Sequence, residues 1–323
     1  MDRKEFMNTI TNVINDWKNT DFSFLQKDYV PGLDDVNLTY GCGQEKKGIE
    51  LNSCVLFVDI RNSVQLIKDK QDRTMGRLYS VFTHCMLLAA RQEGGLVRNI
   101  IGDRVMIVFP QDHCCTKAVN CAITINHIAM LINKKIDNLD FKCGIGIDYG
   151  RMRVMKVGVV TKGAENDDNK GLVWVGYPAN FASRLTDCAN KEFTDIMYQV
   201  DAKFYHYNLW GDNTLFGFKP SGWYRETQKL TAEELAQSLA VKTVGYGSAL
   251  TVSKCIDPVS IKQIKEKYKY DAILVSDTVY KGFKKENPND NSILENLWKV
   301  QKRSIRDIEF DVWGADLHWI LST

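Results

Sequence analysis

Leu96-Val97-Arg98-Asn99-Ile100-Ile101-Gly102-Asp103-Arg104-Val105-Met106-Ile107-Val108-Phe109 is a hairpin spelled out in residues. Two short β runs, Leu96 to Ile101 and Arg104 to Phe109, flank Gly102-Asp103. Such a pair between apolar runs favours a tight turn, so Asp103 is expected at the tip. Upstream, Cys54-Val55-Leu56-Phe57-Val58-Asp59 is another apolar strand that ends on a carboxylate. Between them, Leu66, Ile67, Leu78, Phe82, Met86 and Ala89 support a long helical region stopping near Glu93-Gly94-Gly95. Downstream, Ala118, Ala122, Ile125, Ala129 and Ile132 form one stripe of a helix expected over 113–134. Strands are expected at Phe141 to Asp148 and Arg151 to Val160, with Tyr149-Gly150 as the turn between them.

In order, residues 54–160 give β, α, β, β, α, β. This is the ferredoxin-like α+β plan, a sheet covered by two helices. Unrelated functions occur on it, so the chemistry has to be read from particular side chains. Residues 4–18 place Phe6, Ile10, Val13, Ile14 and Trp17 at helical spacing, an amphipathic helix whose apolar face needs a partner. The expected organisation is an N-terminal helix and irregular arm over 1–50, a core over 51–187, an insertion over 188–270, and completion of the core over 271–323. Within the core, Thr161 to Lys170 reads as a loop, Leu172 to Val175 as a strand, and a helix starts near Pro178. Within the insertion, Thr231-Ala232-Glu233-Glu234 is a capping box for a helix to about Val241, and Ile261 to Tyr268 reads as a second helix. Its aromatic content suggests a packed subdomain.

The 323 residues are 44% hydrophobic and 25% charged, an ordinary globular composition. With 42 basic and 40 acidic side chains, the net charge of +2 lends no support to a nucleic-acid or membrane partner. No apolar run approaches bilayer-spanning length, and Met1-Asp2-Arg3-Lys4 is polar, so a cytoplasmic chain is expected. The 9 cysteines are scattered without Cys-x-x-Cys spacing and read as reduced and mostly buried. The 5 histidines show no metal-ligand spacing.

Asp59 and Asp103 each stand where an apolar strand meets a turn. Carboxylates on neighbouring strand ends can bind a pair of Mg²⁺ ions, although Asp after a strand is also an ordinary turn or capping residue. Asn180 and Arg184, four apart, project from one helix face. Together with their surroundings these residues resemble the class III nucleotidyl cyclase pattern over roughly 54–186 and, more weakly, 272–321. Phe57-Val58-Asp59-Ile60 is similar to the family's first metal motif, and Ile100-Ile101-Gly102-Asp103-Arg104-Val105-Met106 to its second. Gly176-Tyr177-Pro178-Ala179-Asn180-Phe181-Ala182-Ser183-Arg184-Leu185 resembles the Asn/Arg segment, and Ala272-Ile273-Leu274-Val275-Ser276 the strand that follows it.

The resemblance implies two Mg²⁺ or Mn²⁺ ions held by Asp59, Asp103 and a backbone carbonyl near Ile60. It also implies that Arg184 stabilises charge at the α-phosphate of a nucleoside triphosphate and that Asn180 orients the ribose. Sites of this family form between two domains, which for one copy of each half implies a homodimer. The base-reading positions depart from the purine pattern. Asn99 stands where a Lys or Glu is usual, and Val173 where an Asp or Cys is usual. The string Asp59-Ile60-Arg61-Asn62-Ser63, the long insertion and the Trp-rich tail resemble the bacterial Pycsar antiphage cyclases. That implies a pyrimidine substrate, UTP before CTP, and a separate effector protein that binds the cyclic nucleotide. The usual triphosphate-binding Lys is missing from Asp311 to Asp316, leaving Lys299, Lys302, Arg303 and Arg306 as substitutes. The alternatives are a purine cyclase with a rearranged pocket and a silent cyclase-like nucleotide sensor. A diguanylate-cyclase palm is disfavoured by the lack of its signature motif.

Overall fold

The computed structural model describes all residues except Met1, 42–44, 64–71, 137–138, 162–163, 207–208, 211–217, 220–221, 245–246, 253–254, 304, 306 and 321–323. Contacts divide the chain into two units, Met1–Lys191 with Tyr270–Thr323, and Glu192–Lys269.

The larger unit begins with α1 (Arg3–Asn19), capped by the Asp2 carboxylate, which accepts from the Glu5 amide at 2.8 Å. It continues through β1 (Phe22–Gln26), β2 (Lys46–Ile60), α2 (Asp72–Gln92), β3 (Leu96–Ile101), β4 (Arg104–Val108), α3 (Cys114–Lys135), β5 (Cys143–Thr161), β6 (Ala164–Val175) and α4 (Tyr177–Cys188). The central strands lie in the order β5-β2-β4-β3, all antiparallel, which is the ferredoxin-like arrangement. Strand Ile273–Ser276 extends the sheet parallel to β5, and Val312–Ala315 then Lys299–Val300 follow antiparallel. The helix Asp277–Glu286 starts directly after Ile273–Ser276.

The two faces of this sheet have different partners. Alternate β2 residues Cys54, Leu56, Val58 and Ile60 bury with Phe82 and Met86 of α2 and with Ile125 of α3. The other face presents Val55, Met106, Val108, Met152 and Val154 to Ala179 and Ala182 of α4. Helix α3 is long and apolar enough to cross a membrane by length and composition, so the expectation that no stretch approaches that length is corrected. Most of it is buried in the core.

Three glycines of β5 bring α4 unusually close. A methyl at Gly146 would overlap the Ala182 carbonyl and the Thr186 amide, and one at Gly150 would lie 3.1 Å from Pro178. A methyl at Gly144 would overlap the Arg61 guanidinium. Thr186 fastens the helix, its hydroxyl donating to the Phe57 carbonyl at 3.1 Å.

Several local expectations are corrected. Tyr149-Gly150 is no turn: β5 runs unbroken and pairs with β2 from Ile49↔Val154 to Ile60↔Cys143. The stretch expected as a loop from Thr161 is largely strand, with Thr161↔Ala164 closing a hairpin ladder. Part of the 1–50 arm is also regular, since β1 pairs in parallel with β2. Leu66 and Ile67 lie outside the described residues. None of α1 is buried, and Phe6, Ile10, Val13, Ile14 and Trp17 remain exposed.

The smaller unit is built around a three-stranded antiparallel sheet, Gly222–Leu230, Glu192–His206 and Cys255–Lys269. The expected helix over Ile261 to Tyr268 is therefore strand. Its pairing with Glu192–His206 overrides a helical spacing that was local only. The capping box forms, Thr231 and Glu234 exchanging bonds of 2.8 and 3.1 Å, but the helix spans only Ala232–Ser238 before the strand Leu239–Val244.

Asp148, 5% exposed on β5, has its pKa raised by burial, partly offset by a hydrogen bond from Ser276. A carboxyl whose folded pKa lies above its unfolded value adds stability at low pH and loses it as pH rises through the folded pKa. Asp148→Asn is therefore expected to melt higher than wild type at pH 8, the gap closing toward pH 4. Equal melting at both pH values would exclude this account.

Candidate active site

Asp59 occupies the last turn of the β2 ladder on the α4 face, and Asp103 the tip between β3 and β4. The β2–β4 register ends at Val58↔Val105, and one step further brings Asp59 beside Arg104 and Asp103 beside Ile60. Both carboxylates act on Tyr79, whose pKa is raised by burial and then by the charges of Asp103 and Asp59. The two acidic residues thus converge on one end of the sheet.

Asp59 is already engaged by two arginines. Arg104 Nη2 donates to Asp59 Oδ2 at 3.1 Å, and Arg61 Nη1 lies 3.8 Å from the same oxygen. Arg104 also donates to Asp187 of α4 and, through Nη1, to Ser183 Oγ at 3.0 Å. Burial alone would lower the Arg104 pKa, but the bonds and charges of Asp187 and Asp59 outweigh it, and the net shift is upward. Arg61 differs: burial dominates and lowers its pKa despite Asp59. Its Nη2 donates to the Thr186 carbonyl, and its buried Nε has no partner.

Asn180 and Arg184 share α4 but open into different clefts. Asn180 lines one of about 420 Å³ with Tyr149, Arg151, Arg153, Val175 and Tyr177. There Arg153 Nε donates to Glu50 at 2.8 Å. Arg184 lines a cleft of about 310 Å³ with Asp187, Cys188, Ile305 and Asp307. Its guanidinium donates to the Asp307 carbonyl at 3.3 Å, lies 3.6 Å from that carboxylate, and sits 5.8 Å from the Phe181 ring centre. The Ser183/Asp187 pair that meets Arg104 is three residues further along than Asn180/Arg184, roughly 60° around the helix.

Asn99 is exposed on edge strand β3, and Val173 is 39% exposed on β6. Along the path β3-β4-β2-β5-β6 they stand four strand spacings apart, roughly 19 Å. One chain does not bring them together. Lys299 is exposed on Lys299–Val300, and Arg306 lies outside the described residues. Sequence reasoning missed Arg61, Arg104, Ser183, Asp187, Arg151 and Arg153. Only Arg104, adjacent to Asp103, carried a local signal, because the others are gathered by the packing of α4 on β2 and β5.

No family model matches the chain. It is 29% identical to the uridylate cyclase of Burkholderia cepacia over 50% of this chain and 69% of that one. The uridylate cyclase of Gulbenkiania mobilis is 28% identical over 63% of this chain and 78% of its own. Both relatives are named uridylate cyclase, and the chain is similar to each over at least half of its own length. Among solved structures, the adenylyl cyclase CyaB from P. aeruginosa is similar at 15% identity, over 82% of this chain and 93% of that chain, with a TM-score of 0.44.

Proposed function

We propose that this cyclase is a homodimer that converts a pyrimidine nucleoside triphosphate, UTP before CTP, to its 3′,5′-cyclic monophosphate and pyrophosphate. The messenger would be read by a separate cyclic-nucleotide-binding effector in antiphage defence, a role that rests on the Pycsar resemblance. The reading draws first on the relatives named uridylate cyclase.

The observation that carries the composite site is the split within one chain. Asn99 and Val173 lie on well-separated strands, and Asp59 and Asn180 open to different surroundings. Exposed apolar residues stand beside each half, Ile100 and Ile101 close to Asp103 along the chain, and Val175 and Tyr177 in the cleft that Asn180 lines. Apolar surface concentrated at two such places suits burial between copies of the chain.

Asp59 and Asp103 offer hard carboxylate oxygens, the donor class that Mg²⁺ and Mn²⁺ take, and the Ile60 carbonyl would complete the set. Bound there, the ions would acidify the ribose 3′-hydroxyl and neutralise the triphosphate and leaving pyrophosphate. Arg104 has to release Asp59 Oδ2 for that oxygen to bind a cation. Arg184 would place its guanidinium on charge developing at the α-phosphate, and Asn180 would hold the ribose. Arg151 and Arg153, in the Asn180 cleft, supply positive charge for an anionic substrate where the late strand Val312–Ala315 has no Lys. Asn99 can donate and accept toward a pyrimidine edge, whereas Val173 makes no hydrogen bond.

Incubation of the purified chain with each of the four ribonucleoside triphosphates and Mn²⁺, products resolved by mass spectrometry, is expected to yield mainly cyclic UMP. Predominant cyclic AMP or GMP would overturn the pyrimidine assignment. No product from any substrate would favour the silent sensor.

A further inference from the structure

Away from that site, three cysteines meet in the core. Cys54 comes from β2, and Cys114 and Cys115 open α3. Their sulfurs all lie within 4.8 Å of one another, and Cys54 Sγ and Cys115 Sγ are 3.7 Å apart. All three are buried, at 0%, 2% and 4% exposure. Among the described residues no other group of three or more His, Cys, Asp or Glu side chains is gathered closely enough to hold an ion.

The spacing is that of ligands. Two thiolates on one tetrahedral zinc, each about 2.3 Å from it, stand ~3.8 Å apart. The surroundings keep room for sulfur: a methyl at Gly282, on the helix Asp277–Glu286, would overlap Cys115 Sγ. Oxygen is also at hand, since Glu286 accepts from the Thr116 amide at 2.8 Å and its charge acts on Cys115.

We propose that Cys54, Cys114 and Cys115 form a buried three-thiolate site for a thiophilic d¹⁰ cation, Cu⁺ or Zn²⁺. Soft sulfur donors select these ions over the hard Mg²⁺ or Mn²⁺ suited to carboxylates. Three thiolates suffice for Cu⁺, and Zn²⁺ takes a fourth, oxygen ligand. Binding deprotonates the thiols that enter as ligands and releases those protons to solvent. A bound ion would tie β2, five residues before Asp59, to the start of α3.

The test uses the full wild-type chain, reduced and stripped with a chelator. Cu⁺ is titrated in competition with bicinchoninate, and Zn²⁺ in competition with a chromophoric chelator. One equivalent of either ion is expected, with a metal–thiolate charge-transfer band. Cu⁺ alone would mark a three-coordinate site, and Zn²⁺ binding one completed by oxygen. Cys54→Ala should weaken binding beyond the roughly 100-fold typical of losing an outer-shell partner. Cys85→Ser, outside the cluster, should leave it unchanged. Failure of folded wild-type protein to retain either ion, or equal retention by folded Cys54→Ala, would overturn the proposal.

Discussion

Protein carrying Asp59→Ala and protein carrying Arg184→Ala should each lose at least about a hundredfold in kcat, and their equimolar mixture should recover about a quarter of wild-type activity. The single losses follow from the proposed roles. Asp59 is a metal ligand in that scheme, and Arg184 a fixed cation at the reacting phosphate. The recovery follows from symmetry. If subunits exchange freely, half the dimers are mixed, and each mixed dimer contains one intact site and one doubly defective site. The intact site takes Asp59 and Asp103 from the Arg184→Ala chain, and Asn180 and Arg184 from the other. Mixed dimers seen by native mass spectrometry without any recovered activity would place each site within one chain.

Gly146→Ala should be the most damaging single methyl outside the site. Its Cβ would meet backbone of α4, the Ala182 carbonyl and the Thr186 amide, and backbone cannot rotate away as a side chain can. Overpacking of this kind costs about 1–3 kcal/mol. The strain has one exit, lifting α4 from the sheet, and α4 carries Asn180 and Arg184. A displacement near 1 Å at a reacting centre costs about a hundredfold in rate. Gly146→Ala is therefore expected to lower both the melting temperature and kcat. Gly171→Ala, where nothing lies within 4 Å of the added methyl, should change neither. Wild-type kinetics from a folded Gly146→Ala would show that α4 position is unimportant to the site.

The same glycines explain where the sequence could be read and where it could not. The hairpin at Asp103, α1 and α3 were legible because their apolar spacing is local and their turns and ends carry their own residues. Gly150 misled, for a glycine in Tyr149-Gly150 reads as a turn, whereas here it makes room for Pro178 of a helix almost thirty residues later. Ile261 to Tyr268 misled for a related reason, since its spacing fits a helix until Glu192–His206 offers a ladder. The polar run after Thr161 lacks the β-branched content that marks a strand, yet a hairpin ladder satisfies its backbone. Asp59 and Asn180 could be picked out by motif. Of the surrounding arginines only Arg104, beside Asp103, had a local cue, because no spacing along the chain encodes the approach of α4 to β2.

Arg104 ties together Asp59, Ser183 and Asp187. A strand end crowded with carboxylates would ordinarily repel itself until a cation arrived. Here the neutralising charge is part of the polypeptide, so the ion-free protein is already self-compensated and a chelator should leave its folding intact. Under the proposed scheme a divalent cation entering at Asp59 would replace a guanidinium, not fill a hole. Its arrival would also untie the strand end from α4, making occupancy at one carboxylate mechanically audible on the helix that bears Arg184.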